Sequence, residues 1–187
     1  MTQEATSLHL TAPVALHYQV NAGITLSRHL RGLRDGRFIG HRCRRCKQVL
    51  VPALGSCPIC AVPTSEAVLL TDTATLTTVC IVHIPVRGQG IELPFASANV
   101  LIDGADTPFL ALVQGCPVTD VKAGMRVRAR WRKAADRCAG LDSLECFEPI
   151  DEAPVDVTAL TEDKRRQLQQ TLQQAEAREV RGARGPR

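Results

Sequence analysis

Two CxxC pairs constrain this chain more than any other feature. Cys43-Arg44-Arg45-Cys46 and Cys57-Pro58-Ile59-Cys60 stand ten residues apart. Each pair can bend its backbone into a knuckle that points both sulfurs at one ion. Two knuckles then present four thiolates, the tetrahedral ligand set of zinc, with Zn–S distances of about 2.3 Å. The intervening residues suffice for a strand out and back, with Pro52 and Gly55 supplying the bend. Two disulfides would use the same cysteines, but paired CxxC elements point first to a metal. Cys43, Cys46, Cys57 and Cys60 fill all four positions. No position is left for a catalytic water, so the expected zinc is structural.

The 187 residues suit one or two small domains. The first twelve are polar and lack the apolar core of a signal peptide. No run approaches the ~20 apolar residues of a membrane-spanning helix. The expected location is therefore the cytoplasm, where thiols stay reduced and metal sites are favoured over disulfides. The other cysteines, Cys80, Cys116, Cys138 and Cys146, have no metal spacing. Cys80 and Cys146 lie in apolar, strand-like runs and are expected in the core.

Four regions follow from the patterning. Residues 1–25 form an arm without periodicity. Residues 26–66 hold a helix and the ribbon. Ser27 is a good N-cap for a helix over 28–35, with Leu26, Leu30 and Leu33 on one face and Gly36 as the stop. A strand over 38–46 then enters the first knuckle. From Arg28 to Lys47 there are eight Lys or Arg and one acid, Asp35. That is either a solvated face or a patch for phosphates or an acidic partner.

Residues 67–149 read as strands over 67–70, 73–84, 94–102, 107–114, 125–133 and 141–147, with a loop at Gly88-Gln89-Gly90. Short turns and no strand–helix alternation predict a small closed barrel. In the fifth of these strands Arg126, Arg128, Arg130 and Arg132 share one face. Like charges so placed need an offset, such as Asp142 and Glu145 on a neighbouring strand, or a bound phosphate. Residues 150–187 give an acidic linker, a helix capped by Thr161 and a basic tail, disordered from 181. The helix has a thin stripe of Leu168, Leu172 and Ala175. Neither this stripe nor that of Leu26, Leu30 and Leu33 has an obvious cover within the chain, so both are candidate docking surfaces. The expected class is mainly β: helix, four-cysteine ribbon, barrel and C-terminal helix.

Several segments together resemble a known family. They are Leu30-Arg31-Gly32-Leu33-Arg34-Asp35-Gly36-Arg37, the two knuckles with Pro52 between them, and Leu101-Ile102-Asp103-Gly104-Ala105-Asp106. Gly124-Met125-Arg126-Val127 with Trp131, and Phe147-Glu148-Pro149, complete the set. The chain is similar over about residues 26–149 to the two-part family of rubredoxin-like zinc ribbon plus OB-fold, formerly a domain of unknown function. It departs at Leu70-Thr71-Asp72-Thr73, where the family usually has a glycine before the first barrel strand. The arm and the C-terminal helix lie outside the likeness.

The resemblance implies that the barrel is an OB-fold. It also implies a non-catalytic accessory subunit bound to a thiolase-superfamily enzyme in a two-plus-two hetero-oligomer. Such partners include thiolases, hydroxymethylglutaryl-CoA synthase-like enzymes and the aldolases of steroid side-chain or aromatic degradation. The subunit aids assembly and holds or passes the CoA ester. Arg44, Arg45, Arg128 and Arg130 are then candidates for the phosphates of CoA, which arginine meets with a planar pair of donors. The residues agree on one point: no nucleophile–base pair is recognisable, and His41 and His83 stand singly. A nucleic-acid-binding module is the alternative, since ribbons and OB-folds both serve that role. It would need exposed aromatics for base stacking, and only Phe95, Phe109, Trp131 and Phe147 are on offer. Iron in the four-cysteine site, making a redox protein, is a third.

Overall fold

The computed structural model describes residues 12, 16, 17, 19–85 and 90–183. The first helix, α1, spans Gly23–Arg34 and so begins several residues before the expected start. A turn at Asn21, whose Oδ1 accepts the Gly23 N–H at 2.9 Å, leads into it; the N-cap position is Ala22, which makes no side-chain cap bond, and Ser27 lies inside the helix. The stop is as expected. Gly36 takes φ +70°, its N–H reaches Leu33 O at 3.0 Å, and the Arg37 N–H reaches Gly32 O at 2.9 Å. This double closure needs a left-handed residue, which glycine adopts without strain. Leu33 is fully buried in the main core and Leu30 packs against it. Of the expected docking stripe, Leu30 and Leu33 are therefore covered within the chain, while Leu26 is half-buried outside that cluster.

Three strands make the ribbon's sheet in the order β2-β1-β3: β1 Phe38–Cys43, β2 Val49–Leu50 and β3 Thr64–Leu70. β3 pairs antiparallel with β1 from Phe38↔Leu70 to Cys43↔Thr64. Thr64 is buried and its hydroxyl donates to Leu54 O, which ties the strand's start to the loop between the knuckles.

The remaining strands close a barrel in the order β4-β5-β6-β8-β7. They are β4 Thr73–Val82, β5 Phe95–Ile102, β6 Phe109–Val113, β7 Arg126–Trp131 and β8 Leu144–Pro149. All ladders are antiparallel except β6–β8, which meet in parallel at Val113↔Phe147. The interior holds Leu76, Val100, Ile102, Val127 and Phe147, with Ala96 and Ala98 giving room along β5. Cys146 is buried, but beside Arg130 rather than in this core cluster, and Cys80 is exposed on the outer face of β4, contrary to expectation. An apolar run hides which of its alternating side chains faces out when neither neighbour is charged. Residues 86–89, which include most of the expected Gly88-Gln89-Gly90 loop, lie outside the described residues.

Phe38 of β1 joins the two modules. Its ring lies 4.7 Å from Trp131, 6.1 Å from Phe109 and 6.2 Å from Phe147, centroid to centroid. The last helix, α2, spans Val157–Ala183. Asp156 caps it, accepting the N–H groups of Thr158 at 2.9 Å and Ala159 at 3.2 Å. Thr161, the expected cap, sits inside and donates back to Val157 O. The helix runs on through residues 181–183, expected to be disordered, because its Gln, Glu, Arg and Ala are good helix formers. Residues 184–187 lie outside the described part. Among the described residues no helix is long and apolar enough to cross a membrane.

Candidate metal centre

The two knuckles are built alike. After Cys43 the Lys47 N–H returns to Cys43 O at 3.0 Å, and the Cys43 N–H meets Gln48 O at 2.8 Å. After Cys57 the Ala61 N–H returns to Cys57 O and the Cys57 N–H meets Val62 O, both at 2.9 Å. Closing each turn forces a left-handed residue, Lys47 at φ 63° and Ala61 at φ 54°. Glycine would sit there freely, whereas a side chain costs roughly 1–3 kcal/mol. Paired strain at matching positions marks both turns as held from outside their own backbone.

The sequence predicted that Cys43, Cys46, Cys57 and Cys60 converge, and they do. Their sulfurs all lie within 4.8 Å of one another, with Cys46 and Cys57 3.6 Å apart. A tetrahedron with arms of about 2.3 Å has edges of roughly 3.8 Å, so the donor set fits a metal ion. None of the eight cysteines is in a disulfide. Cys43, Cys46 and Cys57 are buried and Cys60 is half-buried. Burial pushes the Cys46 and Cys60 thiols up. It acts on Cys43 too, but there the backbone N–H groups of Cys46 and Arg45 and the neighbouring thiols win, holding Cys43 at about 7. Four thiolates this close need a cation among them.

The segment from Leu101 to Asp106 fastens the barrel to this ribbon. Asp106 Oδ2 accepts the Val49 N–H, and the Asp106 N–H donates to Val49 O, both at 2.8 Å. Thr107 Oγ1 accepts the Val51 N–H and donates to Val51 O. Asp103 faces the other way. It accepts two bonds from Arg126, at 2.8 and 2.6 Å, and one from the Thr73 hydroxyl at 2.6 Å. Arg126 also reaches Glu152 at 2.8 Å. The hydrogen bonds from Arg126, with that from Thr73, hold the Asp103 carboxyl below the usual carboxylate range.

A depressed carboxylate contributes stability above its ordinary pKa of about 3.9 and loses it as pH falls through the depressed value. Arg126→Gln is thus expected to cost about 1–2 kcal/mol near pH 7, a paired-charge value reduced because Asp103 is 39% exposed. In urea titrations the deficit should vanish once the pH is low enough to protonate Asp103 in the wild type. A deficit that persists undiminished at low pH would show that Arg126 acts through packing and its bond to the Thr75 hydroxyl rather than through Asp103.

The arginine face of β7 is largely neutralised. Arg130 bonds Glu145 at 3.1 Å, Glu148, and Gln114 at 3.0 Å. Glu145 is therefore one of the expected offsets, while Asp142 pairs with none of the four arginines. Arg128 has only Asp72 at 3.8 Å and is more than half exposed. In the first knuckle Arg44 is exposed, and Arg45 pairs with Glu179 of α2 at 3.1 Å. His41 is buried in β1, whereas His83 is exposed just beyond β4. A second buried imidazole, His29, donates from Nδ1 to Ile39 O at 2.9 Å. No spacing in the sequence marked it. Both buried histidines are held below the ordinary imidazole pKa, chiefly by burial.

Residues 67–132 match the family model described as the ChsH2 C-terminal OB-fold domain. Among solved structures, one described as an Ltp2-ChsH2(DUF35) aldolase is similar, with a TM-score of 0.53 and 21% identity over 71% of this chain and 98% of that one. A DUF35-family protein of unknown function from Sulfolobus solfataricus gives 0.46 and 23% identity, over 55% and 74% of the two chains. No curated protein matches the sequence. The likeness to the first structure is one of fold. The resemblance read from the sequence is thus met in the barrel by the ChsH2-type OB-fold match and in the ribbon by the four-cysteine cluster.

Proposed function

We propose that this chain is a non-catalytic accessory subunit of a thiolase-superfamily enzyme acting on acyl-CoA esters. The observation that carries the reading is the ChsH2-type OB-fold, with the same overall fold in a structure whose description pairs ChsH2 with Ltp2 as an aldolase. The four-thiolate set favours one structural zinc, a borderline-soft ion at home in tetrahedral sulfur. The assembly is a two-plus-two hetero-oligomer in the cytoplasm, where the thiols stay reduced.

CoA phosphates would be met first by Arg44 and Arg128. Arg45 and Arg130 remain secondary candidates, because each already shares its charge with carboxylates. Nucleic-acid binding is the weaker reading. Phe147 is buried, and Phe109 and Trp131 pack on Phe38 rather than offering free faces. The test is to purify the full chain from its source and identify the large subunit by mass spectrometry. The reading requires a thiolase-fold partner that turns over acyl-CoA esters, and a lone chain that does not. A large subunit of another fold would sink it. In the assembled complex, Arg44→Gln with Arg128→Gln should weaken CoA-ester binding several-fold, less so at high salt, with kcat nearly intact. Unchanged affinity would remove these arginines from the CoA site.

A further inference from the structure

The stripe on α2 is not free. Leu168 and Leu172 pack against the cluster of Cys43, Cys46 and Cys57, together with Cys60 and Val62. One face of the helix makes every inward contact along this stretch. Lys164 Nζ donates to Ala105 O at 2.8 Å and to Asp106 Oδ1 at 2.7 Å. Leu168 and Leu172 follow at successive turns, and Glu179 reaches Arg45 between the first two cysteines. From Lys164 to Glu179 the helix covers about 22 Å. Its start is fixed on the barrel, where Leu160 packs on the main core. A cavity of about 280 Å³ runs beneath it, bounded by Cys46, Lys47, Lys164, Leu168 and Thr171.

We propose that α2 is a wall of the metal centre, so that Leu168 and Leu172 govern metal exchange and the metal in turn holds the second half of α2. The first half has a cap and a barrel seat of its own. Beyond Lys164 the sequence is mostly Gln, Glu and Arg. Such a segment is marginal as an isolated helix and depends on what its apolar face meets. Here that surface is the four-cysteine cluster, which persists only while a cation balances its thiolates. The Arg45–Glu179 pair is exposed and adds little by itself. The two leucines therefore carry the seal. The proposal rests on a metal in the four-cysteine site and not on any partner subunit, so its outcome is separable from that of the accessory-subunit reading.

The test uses the zinc-loaded full chain with excess 4-(2-pyridylazo)resorcinol as chelator, following zinc release by absorbance. Leu168→Ser with Leu172→Ser is expected to release zinc about tenfold faster or more, since two packed leucine contacts are lost. Gln169→Ser with Gln173→Ser, on the exposed face, controls for helix propensity and should leave the rate near wild type. Hydrogen exchange supplies the reciprocal reading in the unaltered chain. Stripping the zinc should raise exchange in α2 beyond Leu168 while the barrel strands keep their protection. Equal release rates in the leucine and glutamine variants, or α2 protection that ignores the metal, would overturn the proposal.

Discussion

Cys57→Ser is expected to abolish metal binding and melt the ribbon while the barrel stays folded. Cys57 is buried, 3.6 Å from Cys46, and its own N–H closes the second knuckle. Serine keeps nearly the same shape but offers a protonated, harder oxygen in place of a thiolate. A four-cysteine site in a small module typically contributes about 10–16 kcal/mol of apparent binding free energy, which appears as folding free energy. Little else holds the two knuckles, although Phe38, Asp106 and Thr107 tie the sheet behind them to the barrel. Their buried cluster is the cysteines themselves, with only Val62, Leu168 and Leu172 packed against it. The strained turns at Lys47 and Ala61 would also relax once the ion no longer closes them. The barrel core of Leu76, Val100, Val127 and Phe147 belongs to a separate cluster and should survive. Metal content should fall from about one ion per chain to none. Exchange should rise at the Lys47 and Ala61 amides, while the amides paired between β4 and β5 in the barrel keep their protection. Metal loss should also deepen as pH falls, because thiols must deprotonate to bind. A Cys57→Ser protein that keeps its ion or its ribbon protection would show that the four sulfurs are not the binding set.

How much of the molecule is legible in the sequence depends on the range of the interaction concerned. A CxxC pair reports its ligand geometry within four residues, so the metal centre is readable from local spacing. Alternation in β7 places four arginines on one face for the same local reason. What they meet is only partly legible. Glu145 lies near enough to be named, but the partners of Arg126, Asp103 and Glu152, lie 23 and 26 residues away in the chain. The leucine stripes show the limit of a periodic pattern. Periodicity says that a face is buried, never against what. Leu33 meets the barrel and Leu168 the cysteines, in place of the open docking faces expected. The helix starts differ from expectation because the Asn21 turn ahead of α1 and the Asp156 cap of α2 precede the stronger apolar pattern by several residues.

Phe38→Ala is expected to be the most destabilising single change outside the metal site. The ring is 1% exposed and sits among Trp131, Phe109 and Phe147. Truncating a buried phenylalanine costs about 3–5 kcal/mol, part lost transfer energy and part cavity. For a chain of this size that corresponds to a fall in Tm of roughly 6–20 °C. The cavity would open at the junction of β1 with the barrel, where a strand of the ribbon sheet enters the core of the other module. Relaxation there is limited, because the Asp106 and Thr107 contacts to Val49 and Val51 still pin the ribbon in place. Phe38→Leu refills most of the space and should recover the greater part of the loss. Metal content distinguishes this effect from that of Cys57→Ser. Phe38 supplies no ligand and the sulfurs lie farther along the ribbon, so both Phe38 variants should still bind about one ion per chain. A Tm within about 2 °C of wild type for Phe38→Ala would mean that the ribbon and barrel are held together by the polar clamp alone.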